Sequence, residues 1–519
     1  MRNYKAALPW MVVLLVVLFA AAVRIRLLDI PLERDEGEYA YAGQLILERI
    51  PPYKIAWNMK LPGTYAAYAT IMAVFGQTIA GIHLGLMLVN AATIVLLYLL
   101  GKQLFGTTAG LVACASYALI SLAPGVLGTQ AHATHFVVLP ALAGILLLLK
   151  AEETARWSTL LWSGILLGLA FVMKQQAIFF LAFAVVYLAW RARSWRKLIV
   201  YAAALALPYG LTCLILWRAG VFDRFWFWTV TYAQDYVSQV PLNLAPGRLA
   251  LKLRGAVGVN LPIWILASTG IILAFVASAT RRRAKFATAF LVFSFAALSV
   301  GWYFREHYFI LLLPAVALLA GAAIGSLEGR FGHVWPAALF AILFVVSVAP
   351  QRRFLFRMSP AEAYRMIYGA NPFQETVEVA RYIRNNSSDD SRVGILGSEP
   401  EIFFYAHRHS ASGYIYMYSL MEFQPYALTM QHEFTEEIEA ARPEYVVMVN
   451  HISSWLASPF SEKLVFKWWQ NYGPIHYTPV GLVEFVSPDQ RDYTWGPAAD
   501  RPPRTFTSIS VLRRLDKSK

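Results

Sequence analysis

The feature that most constrains the fold of this chain is a series of long apolar runs that recur from Leu8 to Pro350. Each run is close to the roughly 20 residues that an α-helix needs to cross a bilayer. The chain is 58% apolar and only 15% charged, whereas about a quarter of the residues of a soluble domain are charged. The pattern predicts a polytopic α-helical membrane protein. The predicted spans are 8–27, 61–80, 83–101, 108–124, 131–149, 157–173, 175–190, 197–217, 257–278, 286–303, 307–325 and 333–350.

The composition changes after Pro350, where mixed charges and short alternating segments replace the apolar runs. We therefore predict a transmembrane domain at 1–350 and a soluble domain at 351–519. Predicted strands alternate with predicted helices in this second region, which is typical of a small α/β layered domain. The predicted helices are 374–386, 399–405 and 433–441, and the predicted strands are 392–396, 445–449 and 480–486.

Charged loops predict the orientation in the membrane. The basic loops at 191–197 and 281–285 are expected to face the cytoplasm. Counting crossings back from them places the first loop, 28–82, and the 351–519 domain outside. That count leaves no room for 61–80 as a full crossing, and Gly63, Gly76 and Gln77 interrupt this run. We expect it to lie in the outer interface or to re-enter, which gives about eleven crossings of a bacterial inner membrane.

The totals also exclude several classes of protein. The net charge of +14 is explained by cytoplasmic loops and gives no reason to expect a nucleic acid partner. Cys114 and Cys213 lie inside apolar runs, so neither a disulfide framework nor a zinc-type spacing is present. The sequence contains no glycine-rich phosphate loop of the common types.

An acidic stretch, LERDEGEYAY at 32–41, follows the first span directly. Because a desolvated charge is costly, carboxylates at the rim of a membrane need a reason. The predicted topology gathers further polar side chains on the same outer face: Lys60, Gln130, His132, His135, Lys174, Arg305, Glu306 and His307. A sugar donor carried on a polyprenyl phosphate needs such cations for its phosphate. It also needs a carboxylate to deprotonate the acceptor hydroxyl and an apolar groove for the prenyl chain.

Several motifs resemble the glycosyltransferase C superfamily, in particular its family 39 branch. They are RDEGEYA at 34–40, NMKLPG at 58–63, the segment 99–106, FVMK at 171–174 and REHYF at 305–309. That branch includes protein O-mannosyltransferases, the lipid A aminoarabinose transferase and many bacterial polyprenyl-phosphate-sugar transferases. The similarity covers roughly residues 8–350, and it implies a transmembrane catalytic domain with its reaction centre on the outer face.

The resemblance implies a role for individual residues. Asp35 matches the acid at the reaction centre of the family, so it is the candidate base, and Glu36 matches a second acid that orients the loop or the acceptor. Cationic and polar positions match groups that bind the donor phosphate: Lys60, Lys174, Arg305 and His307. Candidates for the acceptor site or the groove are Tyr39, His132, Trp228 and Tyr308.

One departure from the family bears on metal use. Many members carry an acidic residue before the fifth crossing, where this chain has QAHATH at 130–135. We therefore predict no cofactor and no metal. The predicted reaction is an inverting, metal-independent transfer from a polyprenyl-phosphate-linked donor to a hydroxyl of a lipid, glycan or protein.

Each assignment has a simpler structural alternative. Asp35 and Glu36 are also typical of a helix N-terminus, where the helix dipole favours acids. Lys60 and Lys174 are also typical of lysines whose head groups reach the interface, and Trp228 of an interfacial aromatic helix. Three rival functions stay open: transfer of an oligosaccharide to protein, transport or flipping of lipid-linked sugars, and a catalytically inactive scaffold whose 351–519 domain binds partners.

Overall fold

A computed structural model describes residues 2–192, 194–276, 281–487 and 490–515. Arg193 of the predicted basic loop and the end of the predicted span 257–278 lie outside these residues. The first 350 residues are almost entirely helical. The helices of this region are α1 (Arg2–Arg26), α2 (Arg34–Leu47), α3 (Gly63–Phe75), α4 (Ile79–Phe105), α5 (Thr107–Ile120), α6 (Ala133–Thr154), α7 (Trp157–Met173), α8 (Ile178–Ala192), α9 (Trp195–Arg218), α10 (Phe222–Trp226), α11 (Ala233–Ser238), α12 (Ala245–Val257), α13 (Leu261–Val276), α14 (Arg281–Leu298), α15 (Leu313–Phe331) and α16 (Val334–Val348).

Within the described residues, 6 helical segments are long and apolar enough to cross a membrane, and shorter apolar helices accompany them. The polytopic helical architecture predicted from the sequence is therefore confirmed, while the number of crossings stays a prediction. α3 fits the expectation for the run 61–80: its 13 residues are only about 20 Å long, against a hydrocarbon core of about 30 Å.

The segment between α14 and α15 departs from the predicted helices. The sequence extended the two spans over 286–303 and 307–325, but α14 ends at Leu298 and α15 begins at Leu313. Gly301 has a φ of 69°, which breaks the helix, and Pro314 stands in the first turn of α15, where proline is favoured. Irregular backbone near a membrane is tolerated where it is buried or lines a cavity, and this segment carries Arg305, His307 and Tyr308.

The region after α16 is a mixed α/β domain with a 6-stranded sheet in the order β2-β1-β3-β6-β4-β5. β1 pairs in parallel with β2 and β3, and the other pairings are antiparallel. The sequence located β1, β3, α19 and α20 closely but missed β5, β6 and α24. The elements are α17 (Arg352–Phe356), α18 (Pro360–Tyr368), α19 (Glu375–Asn386), β1 (Arg392–Leu396), α20 (Glu401–Ala406), β2 (His409–Ser410), α21 (Tyr418–Met421), α22 (Ala427–Ala441), β3 (Tyr445–Asn450), α23 (Ile452–Trp455), α24 (Leu464–His476), β4 (Tyr477–Phe485), β5 (Arg491–Trp495) and β6 (Ser508–Arg514).

This α/β domain packs directly on α2. One hydrophobic core joins side chains of α2 and α3 to those of β1, β3 and α20. At the contact, a Cβ added to Gly37 would lie 2.5 Å from the Cβ of Glu401, so only glycine allows α20 to approach α2 this closely. Arg34 of α2 also pairs with Glu399 at 2.9 Å, and both side chains are buried. The α/β domain therefore covers the N-terminal end of α2.

Candidate active site

The N-terminus of α2 positions the acidic stretch. Glu33 is the N-cap: its carboxylate accepts a hydrogen bond from the backbone N–H of Glu36, and the carboxylate of Glu36 accepts one from the N–H of Glu33. This reciprocal capping fixes the first turn of the helix. Asp35 lies between the two capping residues, so its side chain is directed away from the cap and into a cavity.

The carboxylate of Asp35 is held through one oxygen only. Lys60 Nζ lies 2.6 Å from Oδ1, and the hydroxyl of Tyr416 donates to the same oxygen at 3.2 Å. Oδ2 has no hydrogen-bond partner among the described residues; its neighbours are His132 Nδ1 at 3.9 Å and His307 Nε2 at 4.0 Å. Burial raises the pKa of Asp35, but the positive charge of Lys60 overcomes this effect and holds the pKa well below its usual value. Asp35 is therefore an ionised carboxylate with one free oxygen.

Lys60 bridges two carboxylates. Its ammonium group also pairs with Glu38 at 2.7 Å, and it lies 4.7 Å from the centre of the Tyr39 ring. Burial alone lowers the pKa of Lys60, but the charges of Asp35 and Glu38 raise it above its usual value. The ammonium has three N–H donors, and two of them are used by these ion pairs, so one is left for a ligand.

Two further cations reach the same cavity with less of their charge compensated. Lys174, the C-cap of α7, lies 4.9 Å from the ring centre of Tyr308. Arg305 donates to the hydroxyl of Tyr236 at 3.0 Å and lies 5.3 Å from the ring centre of Tyr303. Neither cation forms an ion pair with a described residue. Burial lowers the pKa of Lys174 to about 8, although the charge of Asp35 opposes this shift. The cavity therefore contains positive charge that is available to an anion.

Two imidazoles lie next to Asp35. His307 lines the cavity, whereas His132, a predicted groove residue, is not among the lining residues. His132 and His307 stack with their ring centres 4.1 Å apart, and burial lowers the pKa of His132 to about 4. One nitrogen of each ring and one oxygen of Asp35 all lie within 4.8 Å of one another, and both nitrogens of His132 lack hydrogen-bond partners among the described residues. Imidazoles and a carboxylate are ligands that Zn²⁺ prefers. These three residues would hold a divalent ion, which would act there as a Lewis acid.

Aromatic side chains form a large part of the remaining walls of the cavity. It has about 170 Å³ of interior space and takes residues from the helical region and from the α/β domain. Its predicted lining residues are Asp35, Tyr39, Lys60, Lys174, Trp228, Arg305, His307 and Tyr308. Lining residues that the sequence did not single out include Trp57, Gln175, Tyr416, Tyr418 and Glu422. The structure therefore brings these predicted residues together in one cavity, and the side of the membrane that the cavity faces stays a prediction.

Glu36 is the predicted catalytic residue that the structure does not bring to the cavity. Its side chain is fully buried on the other side of the first turn of α2. Oε1 lies 2.6 Å from the backbone N–H of Ala131 and 3.0 Å from His83 Nε2. Oε2 accepts from the backbone N–H of Glu33, so both oxygens of the carboxylate are used by the protein itself. The structure therefore does not bring Glu36 to the cavity, and its contacts fit the loop-orienting role that the resemblance implied.

Residues 60–217 match the model of the dolichyl-phosphate-mannose-protein mannosyltransferase family. The whole structure resembles that of ArnT from Cupriavidus metallidurans, solved bound to undecaprenyl phosphate. The TM-score is 0.60 at 15% identity, over 96% of this chain and 97% of that one. The chain has the glycosyltransferase C fold. This finding confirms the fold that the resemblance of the sequence motifs implied.

Another solved structure has a similar fold, and one curated protein is similar in sequence over part of the chain. The archaeal oligosaccharyltransferase AglB from Archaeoglobus fulgidus, solved with an inhibitory peptide and a dolichol-phosphate, gives a TM-score of 0.53 at 13% identity, over 99% of this chain and 77% of that one. An undecaprenyl phosphate-α-4-amino-4-deoxy-L-arabinose arabinosyl transferase of Pseudomonas aeruginosa (strain UCBPP-PA14) is 28% identical over 210 residues. That alignment spans 37% of this chain and 38% of the length of the relative.

Proposed function

We propose that this protein is an integral membrane glycosyltransferase that moves a sugar from a polyprenyl-phosphate-linked donor to an acceptor hydroxyl. The observation that carries the proposal is the division of charge in one cavity. Asp35 presents a free carboxylate oxygen, while Lys174 and Arg305 present positive charge that no described carboxylate neutralises. A base and an anion site that lie side by side suit a reaction in which a hydroxyl is deprotonated while a phosphate leaves.

In the proposed reaction, Oδ2 of Asp35 accepts the proton of the acceptor hydroxyl. The acceptor oxygen attacks the anomeric carbon from the face opposite the phosphate, and the bond from that carbon to the phosphate oxygen breaks with its electron pair. Lys174 and Arg305, together with the third N–H of Lys60, bind the departing polyprenyl phosphate. The product has inverted configuration at the anomeric carbon, and Asp35 returns its proton to water.

Two residues next to Asp35 have positioning roles in this scheme. Lys60 and the hydroxyl of Tyr416 both bind Oδ1, so they fix the rotamer of Asp35 and leave Oδ2 to the acceptor. Tyr416 belongs to the α/β domain, which therefore takes part in the reaction centre. We propose that this domain lies on the extracytoplasmic side of a bacterial inner membrane, as the basic loops predict.

We propose that the transfer does not require a metal ion. Lys60 already supplies a positive charge at Asp35 within 2.6 Å, and Lys174 and Arg305 supply charge for the phosphate. The opposing view is a divalent ion on Asp35, His132 and His307. Purified protein that is treated with a chelator and analysed for metal content distinguishes the two. Unchanged transfer by metal-free protein supports our proposal, and transfer that is lost and then restored by Zn²⁺ or Mn²⁺ contradicts it.

The direct test uses the full chain reconstituted in vesicles. Synthetic polyprenyl phosphates that carry a radiolabelled pentose or hexose are supplied with lipid, glycan or peptide acceptors. We expect labelled product with inverted anomeric configuration, and we expect almost none from Asp35→Asn. Label that crosses the vesicle membrane without transfer would support the transporter alternative. Transfer of a preassembled oligosaccharide to peptide, in preference to a single sugar, would support the oligosaccharyltransferase alternative.

A further inference from the structure

Glu422 is a second carboxylate in the cavity, and it comes from the α/β domain. It follows α21 directly and lines the cavity that contains Asp35. Among the described lining residues, these two are the only acidic ones. A carboxylate in a largely closed site loses hydration, which is unfavourable unless polar partners replace the lost water.

The partners of Glu422 account for one of its two oxygens. The hydroxyl of Tyr232 and the amide of Gln239 both donate to Oε2, the latter at 3.2 Å. Tyr303 donates to Oε1 of Gln239 at 3.1 Å, which directs the amide nitrogen of Gln239 towards Glu422. Oε1 of Glu422 has no hydrogen-bond partner among the described residues. The carboxylate is therefore held in a fixed direction with one oxygen left for a ligand.

The negative charge of Glu422 determines which part of a substrate can bind next to it. A donor phosphate is repelled by a carboxylate and is attracted to Lys174 and Arg305, which also line the cavity. Arg305 donates to Tyr236 and forms no ion pair with Glu422. The surroundings of Glu422 instead favour a group that donates hydrogen bonds or carries positive charge. The transferred sugar, which stays attached to the phosphate until the reaction, supplies such groups within reach of the same cavity.

We infer that the free oxygen of Glu422 binds a hydrogen-bond donor on the transferred sugar, a hydroxyl or an ammonium group, and thereby selects which sugar is transferred. This inference rests on the proposed function. It assigns a specificity role to the α/β domain, which supplies both Glu422 and the Tyr416 that positions Asp35. A site built to bind a polar group discriminates strongly against an analogue that lacks it, because its own polar atoms are then left unpaired.

The test compares Glu422→Gln with Glu433→Gln as a matched control. Glu433 also joins the α/β domain to the segment that follows α9, through Arg224, and it accepts the hydroxyl of Tyr414. It differs from Glu422 in lying outside the lining of the cavity. The two substitutions therefore weaken similar contacts between the two regions, but only one of them changes the proposed sugar site. Thermal unfolding of both variants measures the structural contribution.

Donors that carry a neutral sugar, its deoxy analogues or an amino sugar are compared in full kinetic assays. For Glu422→Gln we expect kcat/KM to fall by about tenfold or more for the preferred sugar, with a much smaller change for Glu433→Gln. A loss confined to the amino sugar identifies an ammonium ligand. If Glu422→Gln has a lower kcat/KM for the neutral sugar, and the wild-type protein shows a similar decrease when one hydroxyl of that sugar is removed, the ligand is that hydroxyl. If Glu422→Gln does not fold, Glu422→Asp, which keeps the charge on a shorter side chain, is expected to change the order of preference among the sugars.

Two results would overturn the inference, and they are distinguishable. If the wild-type protein transfers no sugar from any donor, the proposed function fails and the inference fails with it. If the wild-type protein is active but Glu422→Gln matches Glu433→Gln for every donor, Glu422 only joins the two regions. If Glu422→Asp folds and its order of preference among the sugars is that of the wild-type protein, the same conclusion follows: Glu422 does not bind the sugar.

Discussion

The two sides of the first turn of α2 carry similar charged residues in opposite settings. On the cavity side, Asp35 keeps one oxygen free and lies next to Lys60, His132 and His307. On the other side, Glu36 is fully buried, and both of its oxygens accept hydrogen bonds from the surrounding chain. These two acids are adjacent in the sequence, but only Asp35 has a carboxylate oxygen that is free to bind a substrate.

The difference teaches how an acidic motif at a membrane surface is to be interpreted. The cost of burying a carboxylate is offset in both cases, but by partners of different kinds. Glu36 is satisfied by backbone N–H groups and His83, which hold the polypeptide in place. Asp35 is satisfied by a cation and a hydroxyl on one oxygen only, which leaves the other oxygen for a substrate.

The largest effect is expected from Asp35→Asn. The amide cannot accept the acceptor proton, so we expect the transfer rate to fall by about 10²- to 10⁴-fold. Insertion and unfolding temperature should stay near the wild-type values, because the side chain keeps its size and can still accept from Lys60. Radiolabel transfer and thermal unfolding in detergent are measured in parallel. A transfer rate near the wild-type rate would remove Asp35 from the reaction.

Glu36→Gln should lower the stability of the protein and leave the transfer rate per folded molecule almost unchanged, which is the opposite of the effect of Asp35→Asn. In the wild-type protein, both carboxylate oxygens of Glu36 are surrounded by Ala131 N–H, Glu33 N–H and His83. The substitution replaces one of these oxygens with an NH₂ group, which is a donor that faces other donors. Leaving a buried donor unpaired costs about 1–3 kcal/mol, so we expect a lower unfolding temperature and less folded protein. The rate per folded molecule should change little. If the rate falls as far as in Asp35→Asn while stability is unchanged, the comparison between the two sides is wrong.

The pH dependence of donor use tests the cationic part of the cavity. Lys174 has a pKa of about 8, so its positive charge is present below that pH and is lost as the pH rises through it. We expect kcat/KM for the donor to decline above about pH 8, because this parameter reports the free enzyme. Lys174→Arg should remove the decline, since arginine stays protonated. An identical decline in the variant would show that another group is responsible.

The smallest effect is expected from Tyr416→Phe, which removes one hydrogen bond to Asp35. A typical bond of this kind contributes about 0.5–1.5 kcal/mol, so we expect kcat to fall by up to about tenfold. The acid limb of the pH–rate profile should also move to higher pH, because donation by the hydroxyl stabilises the ionised carboxylate. Tyr445→Phe, which loses a hydrogen bond to the backbone of Asn386 in the same domain, should leave the profile in place. Equal profiles in both variants would contradict a positioning role for Tyr416.

Much of the helical region could be predicted from the sequence because its signals are local. Runs of apolar residues gave α7 at its exact bounds, and the alternation of crossings brought Lys60, Lys174 and Arg305 to one face. The helix ends at 299–312 were misplaced because hydropathy does not register the turn at Gly301. Glu38 stood in the acidic motif, but its pairing with Lys60 depends on a fold of the 48–62 loop that no periodic pattern indicates.

The contribution of the α/β domain could not be predicted, because it depends on contacts between distant parts of the chain. Tyr416 lies 381 positions from Asp35 in the sequence, and neither it nor Glu422 belongs to a motif. Their place in the cavity follows from the close approach of α20 to Gly37 and from the Arg34–Glu399 pair. Gly37 was the one local signal for that approach, since a glycine within a helix has an energetic cost that calls for a reason.

The most direct test of the account is a high-resolution structure of the full chain in lipid with a polyprenyl phosphate bound. We predict that the phosphate contacts Lys174 and Arg305, that the prenyl chain leaves the cavity towards the membrane, and that Oδ2 of Asp35 faces the position of the departing sugar. A phosphate bound away from these cations, or one separated from Asp35 by a closed wall of protein, would contradict the proposed reaction centre.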